Sequence, residues 1–151
     1  MEESDDNNEY ELRRQPGLTL LGGLYLFFFL ITVSGFGQPI PFFGSIYQGR
    51  AAEALVYLDS LVCLYLFLGL IKRQRVTWYL VLGYNLFELS NTGANLIGIT
   101  PTELEKVLGS RIDPSRLVSS NISMMVAIFV LTIFIFRQRS SFTNRSIYLF
   151  K

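Results

Sequence analysis

The sequence predicts an all-α integral membrane protein in which four transmembrane helices form an antiparallel, up-down bundle. Half of its 151 residues are apolar, and they are concentrated in four long runs of the length that a helix needs to cross a bilayer. A soluble domain of this size can bury one such run. Four of them would leave too little polar surface to face water, so the runs are predicted to be spans.

The predicted spans are separated by residues that end helices. Pro16 suits the first turn of the first span, and the two prolines of "GQPIPFFGSIYQGR" break the helix between the first span and the second. Only "KRQR" separates the second span from the third, so these two are predicted to form a tight antiparallel hairpin. The predicted spans cover residues 17–36, 51–71, 76–99 and 114–136, within a membrane domain of residues 16–136.

A short helix outside the membrane is predicted between the third and fourth spans, in "TPTELEKVLG". Thr100 and Glu103 have the spacing of a capping box, Pro101 falls at the first helical position, and Gly109 can end the helix. "DPSR" predicts a second helix start, because Asp113 is suited to cap the N-terminus of the fourth span.

The distribution of basic residues predicts the orientation in the membrane. One side of the bundle carries most of them, in clusters that abut the spans, and such residues favour the cytoplasmic side. Both termini are therefore predicted to lie in the cytoplasm, with the chain in the plasma (inner) membrane. Residues 1–15 are predicted to be an acidic, disordered cytoplasmic head, and residues 137–151 a basic cytoplasmic tail. The "IYLF" segment of this tail is expected to fray rather than to rest on the membrane surface or on a partner. The cytoplasmic side carries Arg13, Arg14, Lys72, Arg73, Arg75, Arg137, Arg139, Arg145 and Lys151, and the other side Arg50, Lys106, Arg111 and Arg116.

Composition excludes several classes of function. The formal net charge is only +1, which gives no reason to expect a nucleic-acid partner. The chain has one cysteine and no histidine, so Cys/His metal sites and Cys/His or Ser/His/Asp catalysis within it are ruled out. No haem, iron–sulfur or zinc site is expected from this chain alone, and any other cofactor is unknown at this point.

The third predicted span carries a stripe of polar residues. At about 100° per residue its members fall within an arc of roughly 120° on a helix. Lipid offers no hydrogen-bond partners, so the stripe is predicted to face other helices or water. The stripe consists of Tyr84, Asn85, Glu88, Asn91, Thr92 and Asn95.

Two carboxylates are predicted to lie at the same depth on neighbouring helices. Asp59 is 12 residues from Ile71, and Glu88 is 12 residues from Val76, so each lies about 18 Å from the cytoplasmic surface. With polar residues in the outer half and apolar ones in the inner half, this predicts a polar cavity that opens outward. The candidate residues for binding a ligand, cation or proton are Asp59, Glu88, Asn91, Asn95, Asn121, Asn85 and Glu53; no catalytic residue is assigned, and a metal is left open.

The predicted site leaves three chemical outcomes open. No Lys or Arg lies within a span to neutralise Asp59 and Glu88, so the pair shares a proton, holds a cation such as Na⁺, Ca²⁺ or Mg²⁺, or bonds to a partner or basic ligand. For Asn85 a purely structural bond between helices is favoured, and for Glu53 contact with Arg50 or water near the outer surface.

Two functions rank first on these grounds. One is a membrane-embedded binding or transport module, linked to cations or protons, that acts in a homo-oligomer or with a partner membrane protein. The alternative is a non-catalytic accessory or assembly subunit of a membrane complex. An enzyme using Asp59 and Glu88 as an acid/base pair ranks third, because nothing in the sequence supplies an oxyanion site.

Overall fold

The computed structural model describes residues 16–144, which are predominantly helical. The predictions for residues 1–15 and 145–151 lie outside these described residues. Five α-helices and one short β-hairpin follow one another along the chain, with a single 3₁₀ turn, Arg139–Ser141, after the last helix. The elements are α1 (Pro16–Ser34), β1 (Ile40–Phe42), β2 (Ser45–Tyr47), α2 (Gly49–Ile71), α3 (Arg75–Gly98), α4 (Pro101–Leu108) and α5 (Pro114–Arg137).

Three of the helices are long and apolar enough to cross a membrane. These are α1 from Gly17 to Ser34, with 18 residues, and the whole of α2 and α5, with 23 and 24 residues. The structure thus confirms an all-helical protein with membrane-compatible helices. Helix α3 has the same length as α5, 24 residues, but the amides and the carboxylate of its polar stripe lower its apolar content.

The predicted short helix α4 has the end structures that its sequence indicates. The Glu103 amide donates to the Thr100 hydroxyl at 3.3 Å, and the Glu103 carboxylate accepts from the Thr100 amide at 2.9 Å. These hydrogen bonds, first that from the Thr100 backbone and then that from its hydroxyl, hold the pKa of the Glu103 carboxyl below its usual value. At the other end Gly109 adopts the left-handed conformation, with φ of 66°, which glycine accommodates without strain.

The four long helices pack mainly as two antiparallel pairs. Helix α1 lies along α2, and α3 lies along α5. Contact between α2 and α3 is concentrated where they join. There the two helices are so close that a Cβ atom at Gly69 would collide with the Thr77 side chain. The prediction of a tight hairpin between these two helices is therefore wrong along most of their length. Beyond this point a cleft opens between the two helices.

The apolar core is at the end of the bundle where α2 and α3 join. There all four long helices contribute buried side chains, and the residue after the 3₁₀ turn closes the cluster. The aromatic ring of Trp78 belongs to this core, and its indole nitrogen donates to the Ile135 carbonyl at 3.0 Å. The buried cluster consists of Leu18, Leu21, Tyr25, Leu66, Leu70, Trp78, Val81, Ile135 and Phe142.

The connection between α1 and α2 contains a two-stranded antiparallel hairpin that the sequence analysis did not predict. Ile40 pairs with Tyr47, and Phe42 with Ser45. Its two turn residues, Phe43 and Gly44, have positive φ angles of 44° and 78°, as two-residue hairpin turns require. Glycine adopts this conformation readily, whereas a bulky residue such as Phe43 is strained in it.

The first part of the basic tail is packed, whereas the "IYLF" segment that is expected to fray lies beyond residue 144, outside the described residues. Phe142 is buried with 2% of its surface exposed. The Asn144 amide donates to the Arg73 carbonyl at 3.1 Å, and the Asn144 carbonyl accepts from the Arg75 amide at 2.8 Å. These bonds attach the segment after α5 to the loop between α2 and α3, because that loop leaves backbone groups unpaired within its own helices.

Candidate functional site

A cleft of about 800 Å³ lies between α2 and α3. Its volume is within the range of small-molecule sites in proteins. Most of its wall is apolar, and the hairpin contributes Ile40 and Phe42 at the end remote from the helix junction. The described residues that line it come from α2, α3 and the hairpin, so its open side faces away from α1 and α5. Polar groups enter it from Asp59, Tyr84, Glu88 and Asn91, alongside two further tyrosines.

Asp59 is the centre of a hydrogen-bond network that joins three helices. Its Oδ2 atom accepts from the Thr32 hydroxyl of α1 at 3.0 Å, and its Oδ1 atom accepts from the Tyr84 hydroxyl of α3 at 2.8 Å. The Cys63 sulfur is 3.3 Å from the same Tyr84 oxygen. Since the Tyr84 proton points to Asp59, the thiol is the donor in that contact. Each carboxylate oxygen of Asp59 thus has a partner from another helix.

Glu88 lies in the same cleft and is half-buried. Asn91, which lies one turn farther along the helix, lines the same cleft. Its Oδ1 atom accepts from the Phe43 backbone amide at 2.9 Å. Asn91 therefore connects the wall of the cleft to the tip of the hairpin.

Asn95 continues this connection to the hairpin. Its Oδ1 atom accepts from the Gly44 amide at 2.8 Å, and its Nδ2 atom donates to the Pro41 carbonyl at 3.4 Å. A hairpin tip leaves its turn amides without partners within the two strands, and Asn91 and Asn95 supply them from α3. Both candidate residues are thus hydrogen-bonded to backbone groups of the hairpin.

The other three candidate residues lie outside the cleft. Asn85 is buried, accepts from the Tyr25 hydroxyl at 2.7 Å and donates to the Thr132 hydroxyl at 3.1 Å, which is the bond between helices that the sequence analysis favours for it. The Asn121 side chain donates to the Leu117 carbonyl of its own helix at 2.9 Å. Glu53 is half-buried in the second turn of α2.

The cleft differs from the predicted cavity in two respects. Its wall is mainly apolar, because the buried polar side chains of α3 are largely bonded to neighbouring helices and to the hairpin. The hairpin also forms part of the wall at the end where the sequence analysis expects an opening to water. Asp59 and Glu88 do line one space, as predicted.

Sequence reasoning missed two members of the Asp59 network. Thr32 is one polar residue in an otherwise apolar run, and threonine within a span is commonly bonded to its own helix. Cys63 lies among large apolar side chains in the sequence, where a cysteine is expected only to pack. Thr32 has no pattern in the sequence that points to Asp59. Cys63 lies four residues after Asp59, on the same face of α2, but its contact with Tyr84 depends on how α2 and α3 are rotated against one another.

The chemistry of the cleft is that of an acidic site in apolar surroundings. Two carboxyl groups and the Asn91 amide offer oxygen atoms, which are suited to cations and to hydrogen-bond donors. No Lys or Arg is found among the described residues that line the cleft. Within residues 16–144 no three Cys, Asp or Glu side chains come together in a group that would hold a metal ion.

The chain is thus an all-helical protein with three helices that are long and apolar enough to cross a membrane. An acidic cleft lies between two of its long helices. Comparison of the chain with protein-family models, with curated proteins and with solved structures finds no match. The geometry of the cleft is therefore the basis for a functional proposal.

Proposed function

We propose that the chain is a four-span membrane-embedded binding module whose cleft between α2 and α3 takes a cationic amphipathic ligand. The single observation that carries this proposal is the pairing of Asp59 and Glu88 in a cleft whose remaining wall is mainly apolar. The proposed orientation has both termini in the cytoplasm, since the basic clusters abut that end of the helices.

The packing of α3 supports its assignment as a span in addition to α1, α2 and α5. Trp78 contacts Ile135 near one end of α3, and Gly93 faces Met125 near the other. Helix α3 therefore follows the apolar helix α5 for most of its length. If α5 crosses the bilayer, a helix packed along it is inside the bilayer as well, with its polar side chains turned to protein.

The shape of the cleft supports an amphipathic ligand. Its open side faces away from α1 and α5, which in a four-span arrangement is the direction of the lipid. An apolar ligand body would lie against Leu58, Val62 and Leu80, which line the cleft. A positively charged head would meet Asp59 and Glu88, which no basic side chain of the cleft neutralises. In apolar surroundings an unneutralised carboxylate is costly, so a cationic head or a proton is expected to accompany the pair.

The test uses dodecylamine as a cationic probe and dodecanol as a neutral probe with the same chain. Binding is measured by native mass spectrometry of the purified full-length protein in a neutral detergent. Dodecylamine is expected to saturate a single site and dodecanol to bind at least tenfold more weakly, since a hydrogen bond to a charged group contributes about 1.5–3 kcal/mol. Glu88→Gln is expected to remove this preference, whereas Glu53→Gln, outside the cleft, keeps it.

Glu88→Gln is preferred to Asp59→Asn because Asp59 also joins three helices. Equal binding of the two probes to the wild type, or a preference that survives Glu88→Gln, contradicts the proposal. Thermal unfolding of each variant in the same detergent identifies any loss of binding that is caused by loss of structure.

An accessory or assembly subunit is the second candidate, and the exposed surface of α5 favours it. Only 6% of the most apolar window of α5 is buried within the protein, and this helix packs mainly against α3. One helix of such a partner would cover α5, and another, with a basic residue, would occupy the cleft in place of a small ligand. Co-purification of one stoichiometric membrane protein that Glu88→Gln releases, together with no preference for dodecylamine, supports this alternative.

A further inference from the structure

A second cavity, of about 510 Å³, lies at the end of the bundle where α3 begins and α5 ends. Its wall contains three arginines, which come from two helix ends and the 3₁₀ turn: Arg75, Arg137 and Arg139. The remaining described lining residues are Trp78, Tyr79, Ser140 and Phe142, so no carboxylate is among them. This cavity is separate from the acidic cleft, apart from the shared residue Tyr79.

The three arginines line one cavity, and all three are exposed to solvent. In the part of the chain that the structure describes, none of them has a carboxylate within salt-bridge distance. The Arg139 guanidinium carbon lies over the Trp78 ring, 5.2 Å from the ring centroid, which is a cation–π contact. Stacking of this kind restricts the guanidinium while leaving its N–H groups available.

The surroundings of the arginines are held in place by the core. Trp78 has only 6% of its surface exposed, and its indole donates to the Ile135 carbonyl. Phe142 is buried, and Asn144 attaches the tail to the Arg73 and Arg75 backbone. Basic residues at this end also agree with the orientation rule for membrane proteins, but that rule requires only charge on one side and no common cavity.

We propose that Arg75, Arg137 and Arg139 form a binding site for a phosphate group. Guanidinium groups present paired N–H donors that match the oxygens of phosphate, and such charge-assisted hydrogen bonds are among the stronger ones in proteins. The Ser140 hydroxyl is a further donor at the edge of the cavity. The phosphate is supplied either by the headgroup of an anionic phospholipid or by a soluble phosphate.

Trp78 makes the site directly observable, because it is the only tryptophan in the chain and lines this cavity. Its fluorescence is recorded in a neutral, phosphate-free detergent at constant ionic strength. One series adds dioleoylphosphatidylglycerol, with dioleoylphosphatidylcholine as the zwitterionic comparison, and a second adds inorganic phosphate, with sodium chloride as the comparison. A saturable change with phosphatidylglycerol alone identifies a lipid headgroup as the source. A saturable change with inorganic phosphate identifies a site open to soluble phosphates.

Arg75→Gln and Arg137→Gln are each expected to weaken the binding about tenfold, since each removes charge-assisted hydrogen bonds. Arg137→Lys keeps the positive charge, and with it the orientation, but loses the paired donors, so it is expected to weaken binding as well. Arg111→Gln, in the loop after α4, is the matched control and leaves binding unchanged. The proposal is overturned if neither probe gives a saturable change, or if binding is the same in the Arg75 and Arg137 variants as in the wild type.

Discussion

Asp59 and Glu88 are the two carboxylates of the cleft, but their surroundings differ. Asp59 accepts one hydrogen bond from α1 and one from α3, so its removal affects three helices at once. Glu88 lines the cleft but is not one of the partners of Asp59, so a change there leaves these contacts between helices in place. Asp59 therefore combines a structural role with the proposed binding role, and Glu88 is the residue through which binding can be tested separately.

Gly69 is the residue that permits α2 and α3 to approach closely. A Cβ atom at this position would overlap the Thr77 side chain. Gly69→Ala is therefore expected to reduce the free energy of unfolding by about 1–3 kcal/mol, as overpacking of a core does. Chemical unfolding in detergent, followed by tryptophan fluorescence, measures this change.

Two further variants make the Gly69 prediction specific. Gly23→Ala is the matched control, because nothing lies within 4 Å of a Cβ atom at Gly23 of α1, and it is expected to be neutral or slightly stabilising. Thr77→Ala in the Gly69→Ala background removes the two closest overlapping atoms, Oγ1 and Cγ2 of Thr77, so the two changes are expected to be non-additive. Additive losses would show that close approach at Gly69 is not the cause.

Side chains of the polar stripe of α3 bond to four elements, α1, α2, α5 and the hairpin. Asn85 bonds to α1 and α5, Tyr84 and Glu88 enter the cleft, and Asn91 and Asn95 bond to the hairpin. A single helix thus joins the elements of the fold through hydrogen bonds that lipid cannot supply. The hairpin packs on α3 at Gly98 as well, where a Cβ atom would lie 2.7 Å from the Gly44 Cα atom.

The hairpin is expected to depend on the two asparagines of α3. Asn95→Leu removes the acceptor of the Gly44 amide, and one net hydrogen bond contributes about 0.5–1.5 kcal/mol. Hydrogen exchange of a peptide covering residues 40–47 is therefore expected to be about two- to tenfold faster in the variant.

Ser90→Ala is the matched control for the hairpin prediction, because the Ser90 hydroxyl donates only to the Leu86 carbonyl of its own helix. It is expected to leave exchange in the hairpin unchanged. Exchange that is equally slow in wild type and Asn95→Leu would mean that the strand pairing and ring contacts, such as Phe43 with Phe87 at 5.5 Å, hold the hairpin without the amides.

The molecule as a whole is packed at one end and divided at the other. All four long helices meet in the core beside the α2–α3 junction, and the α1–α2 pair separates from α3 and α5 farther along. The hairpin crosses from the first pair to α3 at the divided end. This arrangement provides the cleft, and it leaves α5 with most of its apolar surface uncovered by protein.

Labelling of single cysteines distinguishes four spans from three. In a Cys63→Ala background, cysteine is introduced by Ser45→Cys in the hairpin, Ser110→Cys before α5, or Thr143→Cys after it, all at exposed positions. With four spans, a membrane-impermeant maleimide added to intact cells is expected to label the first two positions and not the third.

The opposite pattern at the last two positions would contradict the four-span arrangement. If α3 does not cross the membrane, the residue introduced at Ser110 is protected and that at Thr143 is labelled. Labelling of Thr143→Cys after permeabilisation of the membrane confirms that the residue is chemically reactive.

The helices and their ends were predictable because they depend on neighbouring residues. Apolar runs and helix-ending residues anticipate α1, α2, α3 and α5 to within two residues at each end, and the capping box at Thr100 and Glu103 anticipates α4. The hairpin was not predictable in the same way. Its turn places Phe43 at a positive φ, and the amides of that turn bond to residues 48 and 51 positions away.

That the polar residues of the third long helix must find partners follows from the sequence, since apolar surroundings offer none. Which partners they have depends on how the helices pack. Thr32 reaches Asp59 across 27 positions and Tyr25 reaches Asn85 across 60, and both contacts follow from the rotation and crossing of packed helices. The angular position of a residue on one helix is a local property, whereas the face that a neighbouring helix turns toward it is not.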